Sequence, residues 1–184
     1  MLNPLPEYQW TLAEALRAGG HENQASGIEV QLRSHGPSSD PRTMALFLAT
    51  RHQNPATALR LARAELGSRS DVFTHDALAW SLAAAGHLAE AQSEMQRALA
   101  EGTQDARLFF HAAVIALQSG HAADAERWLR KTSELSQLLL PSERIELQNA
   151  AGPGAEKRAS TSQNSFSLGP DTARKTQPQP RTKT

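Results

Sequence analysis

The sequence predicts an all-α fold: an α-solenoid of about four antiparallel helical hairpins, closed by a short capping helix and followed by a disordered tail. Three observations carry that expectation. Gly86 and Gly120, His87 and His121, and Ala91 and Ala125 each recur 34 residues apart, the length of a two-helix unit. Asp71 and Asp105 stand where an N-cap is needed, offering a side-chain oxygen to the unpaired N–H groups of a first helical turn. Gly86, Gly102 and Gly120 stand where a left-handed residue closes a helix.

The units follow in order. Residues 6–39 give Leu12-Ala13-x2-Leu16, then Gly20, Ala25 and a closing Pro37, with Glu29 at a position where a bulky apolar residue is expected. Residues 40–71 keep a clear second helix through Ala58, Leu59, Ala62 and Leu66. Their first helix spans roughly Pro41 to His52, but its register is not fixed, and Ala58 to Ala91 is 33 residues, one short of the period. Residues 72–105 and 106–139 are the two well-formed units. In each, a helix of about 13 residues runs to the turn glycine, and a second begins almost at once, so the two must pack antiparallel.

Ala91 and Ala125 supply the small side chain that a close helix crossing needs. Met95, Leu99 and Leu129 then fill the space as the helices diverge. One pair of this size cannot bury its own apolar face, so neighbours must stack into one core. After Leu138-Leu139-Leu140, Pro141 interrupts the helix. Residues 142–150 form a capping helix in this reading, with Ile145 and Leu147 facing inward.

The repeat domain thus covers residues 6–150, and residues 151–184 form a basic tail. From Pro153 on, Lys157, Arg158, Arg174, Lys175, Arg181 and Lys183 outweigh Glu156 and Asp171, giving +4 in a chain of zero net charge. Of those 32 residues 16 are Pro, Ser, Thr or Gln, and only Phe166 and Leu168 are large and apolar. That is too little burial to offset chain entropy, so the tail is expected to be disordered.

The repeats resemble those of the tetratricopeptide repeat (TPR) family, whose pattern runs W-x2-L-G-x2-Y, then A-x3-F-x2-A, then P. The third unit reads His75-x2-Leu78-Ala79-x2-Leu82, then Ala91-x3-Met95-x2-Ala98. The fourth reads Phe109-x2-Ala112-Ala113-x2-Ala116, then Ala125-x3-Leu129-x2-Thr132. Small residues hold the small positions, the aromatic positions have drifted, and the closing Pro is missing from both. In such proteins the first helices line a concave groove. The resemblance places Phe73, Asp76, Trp80 and Ala83, and then Arg107, Phe110, Val114 and Leu117, along it. Aromatics beside one acid and one base suit a short amphipathic peptide, and the competing assignment is that Trp80 and Phe110 are simply core. Some family members clamp two carboxylates with Lys, Arg and Asn, but among the matching positions here only Arg107 is basic and none is Asn. That partner class is not carried over.

Catalysis has no positive support. There is no G-x-S-x-G nucleophile turn and no glycine-rich phosphate loop. The absence of cysteine excludes disulfides, Cys-ligated zinc and thiol chemistry. His21, His87 and His121 follow equivalent turn glycines. A column spaced by roughly 10 Å per helix pair cannot converge on a zinc whose ligands lie about 2 Å away. His52, His75 and His111 show no ligand partner four residues on. Trp10 and Trp128 read as packing anchors.

No cofactor is expected. Nucleic acid is not an expected partner, because related RNA-binding arrays have a basic inner face and this body is acidic. No apolar run reaches the roughly 20 residues of a membrane span. Met1 to Glu7 does not read as a signal peptide, so a cytoplasmic location is expected. The function expected is noncatalytic: a protein–protein interaction module, an adaptor or scaffold, holding a peptide or helix of a partner in the groove. The alternative is a structural packing subunit of a larger assembly, with an unseen enzymatic or metal site a distant third.

Overall fold

The computed structural model describes residues 5–151, and over that range the chain is all-helical. The elements are α1 (Pro6–Ala18), α2 (Glu22–Ser39), α3 (Pro41–Thr50), α4 (Pro55–Leu66), α5 (Val72–Ala84), α6 (Leu88–Leu99), α7 (Ala106–Gln118), α8 (Ala122–Glu134) and α9 (Pro141–Ala151). A 3-10 turn, Ser136–Leu138, joins α8 to α9. The expected disordered tail lies outside the described residues except for Ala151, which ends α9. Among the described residues no helix is long and apolar enough to cross a membrane.

Capping chemistry sets the boundaries. Asp40, Asn54, Asp71 and Asp105 each accept a hydrogen bond from the backbone N–H three residues on, at Thr43, Thr57, Thr74 and Leu108. Pro6, Pro41 and Pro55 take the first helical positions, where the N–H that proline lacks has no helical partner anyway. The turns between α1 and α2, α5 and α6, and α7 and α8 pass through Gly20, Gly86 and Gly120 at φ +79°, +82° and +78°. The α3–α4 turn has no glycine and instead places His52 at φ +50° and Asn54 at φ +46°. The glycine that marks the other three turns at a fixed place in the period is absent here, which is why the second unit hides its register.

Two expectations are corrected. Pro37 does not close α2, which continues to Ser39. In the last turn the proline forgoes only the bond its N–H would make to the Arg33 carbonyl. In α9, Leu147 is buried as expected, but Ile145 is 61% exposed. The inward face of that helix carries Glu143, wholly buried, where an apolar side chain was expected.

Consecutive helices pack in pairs, α1 on α2, α3 on α4, α5 on α6 and α7 on α8. Contacts of α3 with α1 and α5, and of α5 with α7, link the pairs into one body. Ala25, Ala58, Ala91 and Ala125 are fully buried on the second helix of each pair, where a bare methyl lets two backbones approach. Thr132 stands in for the next small position, and its hydroxyl donates to the Trp128 carbonyl at 2.8 Å. Trp10 meets Phe47 edge-on at 5.8 Å, and Trp128 stacks on Phe109 at 5.5 Å. Both tryptophans are therefore anchors between helices. Trp10 is fully buried and Trp128 partly so; full burial of a large apolar side chain contributes roughly 1.5–3 kcal/mol or more.

Candidate partner-binding face

The first helices of the pairs begin on one side of the molecule. Glu7 in α1, Arg42 in α3, Phe73 in α5 and Arg107 in α7 are each the second residue of their helix, and all four line one cavity of about 190 Å³. Thr43, Leu46, Asp76 and Leu138 complete much of its wall. The register of the helix starts, set by the Asp caps and the prolines, is what brings these side chains to a common level.

Charges of both signs meet there. The Arg42 guanidinium lies 5.8 Å from the Phe73 ring centroid and 3.8 Å from Asp71 Oδ1. Burial would push the Asp71 carboxyl up, but the N–H and hydroxyl of Thr74, with Arg42 and Arg69, hold it below the usual carboxylate range. Arg107 sits 4.8 Å above the Trp10 ring while its Nε is 3.0 Å from Glu143 Oε1.

Of the eight groove residues read from the sequence, the cavity gathers Phe73, Asp76 and Arg107. Phe73 is 43% exposed and Arg107 half-buried. Trp80 and Phe110 are buried: the Trp80 indole N–H donates to the Thr50 hydroxyl at 3.0 Å, and its ring lies 6.0 Å from that of Phe110. Val114 is buried and Leu117 half-buried, and neither lines the cavity. They stand about two and about three helical turns beyond Arg107, past the shared level of the helix starts.

The C-terminal segment closes this side of the molecule. Leu139 and Leu140 are buried, and α9 contacts α1, α7 and α8. Glu143, third residue of α9, accepts from the Leu140 N–H at 2.9 Å, half of a capping box. The next free donor, the Ser142 N–H, is taken by Glu14 Oε2 of α1 at 3.2 Å, 128 residues away in the chain. Glu14 is itself buried, with its other oxygen 3.4 Å from the Trp10 indole nitrogen and 3.2 Å from Arg51.

Sequence reading missed this set: Glu14, Arg51 and Glu143, and the pair His111–Asp76. The family resemblance places Asp76 on the groove by its position in the third unit. In the structure it is buried 2.8 Å from His111 Nδ1, and the imidazole stacks on Trp80 at 4.2 Å. The available signal was the spacing of 35 residues, one repeat plus one, which puts an acid and a histidine on neighbouring first helices. His21, His87 and His121 are exposed, each just before a second helix. The chain matches no family model, no curated protein and no solved structure.

Proposed function

We propose that this chain is a noncatalytic protein-binding module of TPR type, its helix pairs antiparallel hairpins in a short solenoid. In this reading it holds a peptide or helix of a partner protein against the first helices of the array. One observation carries it: four first helices present their opening turns around a single cavity with an exposed aromatic, Phe73, between two arginines, Arg42 and Arg107. An aromatic rim with fixed cations fits a segment carrying both apolar and acidic side chains. Trp80 and Phe110 contribute to it by holding the helices in place from within the core.

The test is affinity capture with the full chain, comparing the parent with Phe73→Ala and Arg42→Ala. Phe73 is exposed and Arg42 half-buried at the surface, so both variants should keep the parent's helical circular dichroism. Loss of a specific partner from both variants is the expected result. Retention of every partner by both would remove this face from the reading.

A second reading, packing within a larger assembly, rests on a separate observation. Leu5, Tyr8 and Leu12 are exposed at spacings of three and four along and just before α1, one stripe on a helix face. Partners lost on Tyr8→Ser with Leu12→Ser, and kept by Phe73→Ala, would favour it.

A further inference from the structure

The surface that holds α9 is built to recognise the first turn of a helix, and two of its parts do not depend on α9. Glu14 is fixed by Trp10 and Arg51, so its carboxylate already points a free oxygen at the place where the Ser142 N–H sits. Arg107 is fixed over the Trp10 ring, so its guanidinium already faces the position of the Glu143 carboxylate. An acceptor for unpaired first-turn N–H groups thus lies beside a cation for an acid at the third helical position. The buried Leu139 and Leu140 immediately precede that turn.

The seated segment is held by three buried leucines, Leu139, Leu140 and Leu147, and by polar groups that are only partly satisfied. Within α9, Leu147 is the large apolar side chain that is buried, while Ile145 is exposed. Glu143 is buried and Glu146 half-buried one turn apart, and the Ser142 hydroxyl is buried with no hydrogen-bond partner. Buried polar groups left incompletely satisfied weaken the seat of an element relative to the core around it.

We propose that α9 is a displaceable, self-supplied occupant of a docking site for a partner helix. That helix carries a leucine pair just before its first turn and a carboxylate at its third position. This deepens the binding function proposed above and rests on it. The partner's leucines replace Leu139 and Leu140, its acid pairs with Arg107, and its free first-turn N–H bonds to Glu14. The tether sets the threshold: a linked segment acts at an effective concentration of about a millimolar, so the closed chain favours partners that bind tightly or are held nearby.

The test uses a fluorescent synthetic peptide of residues 135–151 as the probe. Full-length chain carrying Glu143→Gln and Leu147→Ala, which weaken its own α9, should bind the peptide at least tenfold more tightly than the parent. Adding Arg107→Ala should abolish that gain. Equal binding by parent and weakened chains, or none by a weakened chain that keeps its helical signal, overturns the proposal. A second measurement leaves the seat itself unaltered. The sequence has no cysteine, so Ala15→Cys and Ile145→Cys, both exposed positions, can carry spin labels on α1 and α9. Saturating peptide should lengthen the distance between the labels, and an unchanged distance overturns displacement. The two readings fail separately. Absence of partner capture by every form of the chain sinks the binding function, whereas a partner held equally by parent and weakened chains sinks the displacement.

Discussion

His111 Nδ1 lies 2.8 Å from Asp76 Oδ1, with both side chains buried between α5 and α7 and the imidazole stacked nearly parallel on the Trp80 indole. The other ring nitrogen, Nε2, is buried without a hydrogen-bond partner, so this one contact carries the polar satisfaction of the histidine. Removing Asp76 leaves a buried imidazole with nothing to bond. Asp76→Ala should therefore cost about 1–3 kcal/mol. Replacing both partners by apolar residues, Asp76→Leu with His111→Phe, should cost well under the sum of the single changes. Urea unfolding followed by circular dichroism measures all three. A loss below about 1 kcal/mol for Asp76→Ala would show that the pair contributes little.

The pair also marks where the sequence stops being legible. Helix existence, the Asp caps at 71 and 105 and the turn glycines could be read, because each is a local backbone requirement met within a few residues. Periodicity placed Asp76, Trp80 and Phe110 on first helices. It could not say which neighbour each faces, because that depends on how far one pair rotates against the next. Glu14 and Glu143 are harder still: they meet Arg51, Arg107 and the Ser142 N–H across 36 to 128 residues, and no local pattern encodes a carboxylate buried by a partner so far away in the chain.

Glu29 is another buried acid, and its misfit with the repeat pattern is visible in the sequence. Arg17 and Arg51 each approach its Oε1 at 2.7 Å, and Arg33 approaches Oε2 at 3.2 Å. Burial alone would raise its carboxyl, but the Arg17 hydrogen bond and the charges of Arg51, Arg17 and Arg33 hold it below the usual range. A depressed folded pKa contributes stability that is complete above the unfolded value, about 4.3, and is lost as pH falls through the folded one. Glu29→Gln should cost on the order of 1–3 kcal/mol at pH 7. Its thermal midpoint should fall less steeply than the parent's on acidification below pH 5. Parallel acid limbs for the two proteins would contradict this account.

Ala91 and Ala125 leave no room for a larger side chain, since both are wholly buried where paired helices meet. Ala91→Leu or Ala125→Leu should overpack α5–α6 or α7–α8 and cost about 1–3 kcal/mol. Unchanged thermal melting by circular dichroism in both variants would show that the helix contact lies elsewhere.

The turn residues should respond with opposite signs. A Cβ added at Gly86 meets nothing within 4 Å, so Gly86→Ala carries only the backbone cost of φ +82°, about 1 kcal/mol. His52 already bears that cost at φ +50° in the α3–α4 turn. His52→Gly relieves it while gaining freedom in the unfolded chain, so the net effect should lie between neutral and about 1 kcal/mol stabilising. Paired thermal melts distinguish the two turns, and a destabilising His52→Gly would mean that the histidine side chain is needed there.

Glu146 gives α9 a pH dependence of the opposite sense to Glu29. Burial pushes its carboxyl above the usual range and Glu143 adds to the rise, while His52 and His111 oppose it. For an acid whose folded pKa is raised, stability is fully present below the unfolded value and is lost as pH climbs through the folded one. Seating α9 at neutral pH therefore means either desolvating this charge or protonating the group. Glu146→Gln removes that requirement and keeps the side-chain shape. The variant should melt at a higher temperature than the parent at pH 7, with the gap closing as pH is lowered towards about 4. The spin-labelled pair on α1 and α9 should sharpen into the shorter distance over the same interval in the parent and show no such change in the variant. A variant that melts lower at pH 7 would mean that the Glu146 carboxylate is a favourable partner of His52 and His111, and that the weakness of the α9 seat must come from Glu143 and Ser142 alone.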